Sequence, residues 1–187
     1  MKNIHQEIRR ELSLTEQVLW SGQPRQGIVV RGTDAFLIPF SLLWCGFAIF
    51  WEMAVLKAPN APDFFVLWGL PFVSVGVYMV IGRFFAEAKL RGRTYYAVTN
   101  ERVLIVSGLF SRSVKSLSLR TLSDISLTED TRGDGSISFG GGSSRASMFG
   151  EMSVWPGSDA HVGPRFDLIP TTKSVFEVIR NAQLASA

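Results

Sequence analysis

Few residues in this chain have the types and spacing that chemistry needs. Cys45 is its one cysteine, and His5 and His161 are its two histidines. No disulfide can close within the chain, and neither a cysteine-based zinc site nor a histidine-rich metal centre is expected. Gly133 to Gly150 is rich in Gly and Ser, but no Gly-Lys-Ser/Thr ending follows it. Nor does it follow a strand and open a helix, as dinucleotide loops do, so it reads as a mobile hairpin excursion. Asp130, Asp134 and Gly135 resemble a calcium loop, yet Arg132 occupies a ligand position and no Glu closes the set. Arg132-Gly133-Asp134 spells an adhesion tripeptide, a coincidence on a cytoplasmic segment. No serine-histidine-acid, cysteine-histidine or paired-carboxylate arrangement has motif support. The expectation is a protein that is not an enzyme, without catalytic residues, cofactor, metal or small-molecule substrate.

Three groups remain as binding candidates. Lys89, Arg91 and Arg93 could hold anionic headgroups at about 1 kcal/mol each, or they only fix membrane orientation. Thr99, Asn100 and Arg102 could form a surface at a hairpin turn. Alternatively the first two make turn hydrogen bonds and Arg102 pairs with a nearby acid. Met148, Phe149, Met152 and Trp155 flank the glycine-rich stretch and would make a partner patch if exposed; otherwise they complete a core.

These residues need elements to position them, and the hydropathy pattern supplies the largest. Apolar residues make up 47% of the chain and charged ones 19%, an unusually apolar balance for a soluble protein, so membrane segments are tested first. The uncharged runs Ala35 to Trp51 and Phe64 to Ile81 hold about 17 and 18 residues, near the lower limit for a spanning helix. A short link with Pro59, Asn60 and Pro62 joins them. Pro39 falls in the first turns of its helix, and Pro71 is placed to kink the second. Lys2, Arg9, Arg10, Arg25 and Arg31 precede the first run, Arg83, Lys89, Arg91 and Arg93 follow the second, and the link carries only Lys57. Cytoplasmic flanks collect Lys and Arg, so both termini are expected in the cytoplasm. Neither run contains an ionisable residue, which argues against a transporter working alone. Ser41, Gly46 and Ala48, with Gly69, Ser74 and Gly76, allow close helix contact. The net charge of +3 is too weak to imply nucleic acid. The polar start of the chain, Met1 to Gly32, is not a secretory signal.

Around the hairpin the periodicity is different. Ile4, Ile8 and Leu12 recur every four residues, an amphipathic helix better suited to docking on protein than on lipid. Ser13 and Glu16 have capping-box spacing, and Trp20-Ser21-Gly22-Gln23-Pro24 is expected to break regular structure. Thr94 to Thr99 and Arg102 to Ser107 read as strands joined by the two-residue turn Asn100-Glu101, the second buried on both faces. Gly108 ends it. Val114 to Leu119 alternates, Ile125 and Leu127 repeat the alternation, and Ser136 to Phe139 and Arg165 to Ile169 add strands. A helix with Val175, Phe176, Ile179 and Ala182 on one face closes the chain, capped by Thr171 or Thr172.

The order Trp20-Ser21-Gly22-Gln23-Pro24, two spans, Tyr95-Tyr96-Ala97-Val98-Thr99-Asn100-Glu101-Arg102-Val103, then a Gly and a run ending in Leu119, resembles bacterial membrane proteins with a pleckstrin-homology-like (PH) domain. The resemblance implies an α+β membrane protein whose bent, seven-stranded antiparallel barrel or sandwich is capped by a C-terminal helix. Phosphoinositide-binding PH domains use basic residues in an open loop between their first two strands. Here that connection reads as Asn100-Glu101 with Arg102 beside it, so that ligand is not carried over. The chain divides into a cytoplasmic segment 1–33, a transmembrane hairpin 34–82 and a cytoplasmic PH-like domain 90–187, in the bacterial inner membrane. Its partners are the lipid bilayer and either another protein or copies of itself. Three readings stay open: a non-enzymatic membrane-anchored interaction module, an anionic-lipid sensor, or an accessory subunit of a transporter or envelope enzyme.

Overall fold

The computed structural model describes residues 4–30, 32, 34–59, 62–109, 111–122, 124–129, 134–140 and 163–186. Among these, residues 28–87 form one compact unit, and those before 28 and after 87 together form the other.

In the first unit, helices α2 (Asp34–Lys57) and α3 (Asp63–Arg91) are both long and apolar enough to cross a membrane. Each outruns its uncharged core, because Glu52 and Lys57 at one end and Arg83 to Arg91 at the other still continue the helix. Phe36, Phe47, Phe50, Leu67 and Trp68 are exposed, while Leu37, Ser41, Ala48, Gly69 and Gly76 are buried. Ser41, Ala48, Gly69 and Gly76 therefore serve contact within the hairpin; Gly46 and Ser74 face outward. At Gly76 a Cβ would lie 2.9 Å from the Cα of Cys45, so the two backbones can approach this closely only at glycine.

Pro71 does not break α3, which stays α-helical from Asp63 to Val77. The irregularity comes about two turns later, as a π-helical turn over Tyr78–Gly82. A π turn inserts an extra residue and shifts the register of the helix beyond it. Arg83, the next residue, faces Asp34 at 2.7 Å, with side chains only 5% and 9% exposed. Its guanidinium also lies 4.5 Å from the centre of the Phe84 ring. One of the cations counted as a free topology signal is thus neutralised by an acid at the start of α2.

The second unit holds seven described strands in two antiparallel sheets. They are β1 (Val18–Gly22), β2 (Tyr95–Thr99), β3 (Arg102–Ser107) and β4 (Ser113–Ser118), hydrogen-bonded in that order, and β5 (Ile125–Glu129), β6 (Gly135–Phe139) and β7 (Arg165–Ile169). The expected strands are present, but as two separate sheets rather than a closed barrel among the described residues. The Trp20–Pro24 expectation is corrected more sharply. Val18 to Gly22 is a strand, pairing Val18 with Thr99 and Gly22 with Tyr96. Trp20 sits against Phe166 at 5.8 Å between centroids, so burial of this indole outweighs the local turn signal.

β2 and β3 are buried on both faces. Tyr96, Val98, Val103 and Ile105 face Ile137, Phe139, Phe166 and Ile169 of the second sheet, together with Val175, Ile179 and Ala182 of the final helix, α4 (Thr172–Ser186). On the opposite face, Tyr95, Ala97, Leu104 and Val106 are covered by Ile8 of α1 (Ile4–Arg9) and by Leu12. The amphipathic start of the chain docks on protein. Thr171 takes φ 54°, its hydroxyl donating to the Pro170 carbonyl, and the Thr172 hydroxyl donates to Ile169. At Gly108, φ is 153° and a Cβ would collide with the Ser111 carbonyl oxygen, so glycine is required where β3 ends.

A chain in which residues 28–87 are replaced by a short Gly/Ser linker should fold into a soluble unit, because β1 and β2 pair across the excision. Residues 90–187 alone lose β1, α1 and Glu16 and should aggregate. Gel filtration and near-UV circular dichroism of the two chains distinguish these outcomes; equal behaviour would contradict the shared sheet.

Candidate functional site

The Thr99–Arg102 turn is where the two sequence-distant parts of the β unit meet. β2 and β3 join through Asn100-Glu101, with Val98 opposite Val103. Asn100 binds backward to the first segment: its Oδ1 accepts from the Gln17 amide at 2.9 Å, and its own amide donates to the Gln17 carbonyl at 3.1 Å. Thr99 Oγ1 accepts from the amides of Glu101 and Arg102 at 3.2 and 3.0 Å and donates to Glu16 Oε1 at 2.7 Å.

Glu16 is the centre of this arrangement, its side chain 0% exposed. Oε1 also accepts from Arg102 Nε at 2.9 Å, and Oε2 from Arg102 Nη2 at 2.8 Å, a two-pronged ion pair. Oε2 further accepts from the Ser13 amide at 3.1 Å, which is half of a capping box. The Arg102 hydrogen bonds to Glu16, above all, hold this carboxyl at a pKa of about 2 against an ordinary 4.5, although burial pushes the other way. The same bonds raise the Arg102 value. Arg102 also donates to the Glu11 carbonyl at 2.8 Å and to Ser116 Oγ at 3.3 Å. Thr99, Asn100 and Arg102 are brought together, tied to Glu16 and Gln17.

The basic candidates separate. Lys89 and Arg93 are exposed, and Arg93 Nη1 donates to the Leu109 carbonyl at 2.6 Å. Arg91 is buried, its Nη2 donating to the Gly27 carbonyl at 2.8 Å, while Gln26 Nε2 donates to the Arg91 carbonyl at 3.2 Å. Arg91 thus ties the segment after β1 to the C-terminal end of α3. Met148, Phe149, Met152 and Trp155, and Asp130, Arg132 and Gly133, lie outside the described residues. Asp134 makes an ion pair with Arg25 at 2.9 Å. Among the described residues no cluster of His, Cys, Asp or Glu could hold a metal ion.

Sequence reasoning missed Glu16 as the partner of Arg102. The capping-box spacing did mark it as special, but nothing local shows a partner 86 positions away. It also placed the connection between the first two strands at Asn100-Glu101. With β1 ahead of the hairpin, that turn joins β2 to β3, and the segment between β1 and β2 is the hairpin itself.

A four-stranded and a three-stranded antiparallel sheet, packed on one core and closed by a C-terminal helix, make a PH-like fold. Residues 35–147, more than half of the chain, match the family model of the bacterial PH domain, and the chain belongs to that family. No curated protein and no solved structure matches it. The matched region begins inside α2 and leaves out Glu16, β1, β7 and α4, which here complete the sheets and the core.

The Glu16 carboxylate has a lower pKa folded than unfolded, so its contribution is complete above about pH 4.5 and is lost as pH falls toward about 2. A shift of this size corresponds to about 3 kcal/mol. The denaturation midpoint of the detergent-solubilised chain should drop over that window, and in Glu16→Gln this acid-dependent part should be absent. Arg102→Ala, which leaves a buried carboxylate unpaired, should cost about 3–5 kcal/mol near neutral pH.

Proposed function

We propose that this protein is a non-enzymatic, membrane-anchored interaction module of the bacterial inner membrane. In this reading α2 and α3 cross the bilayer, both termini are cytoplasmic, and the PH-like unit is presented at the cytoplasmic face to a protein partner or a second copy of itself. The pairing of β1 with β2 carries the reading. One strand precedes the hairpin and the other follows it, so both flanks must lie on one side of any membrane the hairpin crosses. The basic residues of those flanks make that side the cytoplasm. Two covalent crossings restrain the unit near the membrane and raise the effective concentration for weak contacts.

Reporters fused to either terminus should remain inaccessible to a protease added to intact spheroplasts, and a cysteine introduced at Lys57 should react with a membrane-impermeant maleimide from outside. A C-terminal reporter cleaved from the periplasm would end this reading. Purification of the full chain from its native membrane should recover a constant partner or a defined oligomer; recovery of a lone monomer in mild detergent counts against an interaction role.

The exposed Lys89 and Arg93 support a second reading, contact with anionic headgroups. Each is worth about 1 kcal/mol near a charged surface and is screened by salt. Using the linker-joined soluble unit, Lys89→Ala with Arg93→Ala should weaken association with phosphatidylglycerol vesicles at low salt by tenfold or more. Arg91→Ala should instead lower stability. Equal association with neutral and anionic vesicles removes this reading.

A further inference from the structure

The buried face of α2 carries an acid near each end, and only one is answered. Asp34 has Arg83 at 2.7 Å. Glu52, about 27 Å further along the helix, is 7% exposed, and neither carboxyl oxygen has a hydrogen-bond partner among the described residues. The uncharged run ends at Trp51, but α2 continues to Lys57 and takes Glu52 in. The opposing helix is shaped for it. At Gly69 a Cβ would collide with Glu52 Oε2 and lie 2.6 Å from Trp51 Cζ3. A carboxylate shielded from water calls for a counter-charge, which nothing described in the hairpin supplies.

Beside this seat is a groove of about 210 Å³, lined by Trp44, Phe47, Ala48, Trp51, Trp68 and Phe72. The Trp44 and Trp68 rings lie 6.4 and 6.0 Å from that of Phe72, forming a continuous aromatic wall. Ala48 is one helical turn from Glu52 on the same face, and Trp51 shares the Gly69 contact with the carboxylate. Aromatic faces attract organic cations through their quadrupoles, and a carboxylate supplies the formal counter-charge.

We propose that this groove, with Glu52, is a binding site for a free lipophilic ammonium ion, its substituents among the rings and its charge directed to Glu52. The side chain leaves its Gly69 seat by rotamer change to meet the ion. On the membrane-crossing reading proposed above, on which this inference rests, Trp44 stands about 20 Å of helix from Lys57, so the groove runs into the span. A cation that partitions into hydrocarbon fits this depth, whereas a phospholipid headgroup stays at the interface.

The test titrates the full chain in an uncharged maltoside detergent with benzyltrimethylammonium, followed by tryptophan fluorescence. Neopentylbenzene, the same shape without charge, is the comparison. The ammonium ion should bind saturably and at least tenfold tighter than its neutral isostere. Glu52→Gln should abolish that preference, Glu52→Asp should retain most of it, and Trp68→Leu should weaken the ammonium ion at least fivefold. Far-UV circular dichroism monitors helix content; if Glu52→Gln unfolds the hairpin, the Asp and Trp68 variants decide. Equal binding of cation and isostere, wild-type affinity in Glu52→Gln, or no saturable binding overturns the proposal.

Discussion

The pairing of β1 with β2 across an inserted helical hairpin is the constraint on which the other features rest. Two strands far apart in sequence must find each other before the core between the sheets can close. Loop-closure entropy rises only slowly with length, and a hairpin that folds separately shortens the effective loop. The register is then fixed by groups that are both buried and polar: Glu16 receives Arg102, Thr99 and the Ser13 amide in one seat with no exposed surface. A one-residue slip of β1 would turn Trp20 from Phe166 and remove Glu16 from Arg102 together. The lock and the apolar core therefore select the same register.

In phosphoinositide-binding PH domains, ligand chemistry sits in an open loop between the first two strands. Here the hairpin takes that place, and the basic residues near its ends divide between structure and surface. Arg91 and Arg83 are consumed internally, by Gly27 and Asp34 respectively, whereas Lys89 and Arg93 remain outward. Counting charges in the flanks overstates the number of basic side chains left exposed. The same economy operates inside the hairpin, where Asp34 is matched and Glu52 is not.

Much of the β unit was legible because its signals are local. Alternation marked β4 and β5, continuous apolar character marked β3 as buried on both faces, and the spacing of Val175, Ile179 and Ala182 marked the buried face of α4. Pro71 is carried within the α-helix, and the register change falls at Tyr78–Gly82. Glu52 was missed because a span was cut at its last uncharged residue, while a helix ends where its hydrogen bonding ends.

By itself the sequence determined two long apolar helices, the strands after them, the terminal helix and an amphipathic start suited to docking on protein, because each is written in the periodicity or hydropathy of neighbouring residues. Only the tertiary structure decided that Val18 to Gly22 is the first strand of the later sheet, that Glu16 belongs to Arg102, and that the described strands form two sheets. Those outcomes depend on contacts between residues far apart in the chain. Their free energy comes from burial and from ion pairing across the fold, and no local pattern contains either.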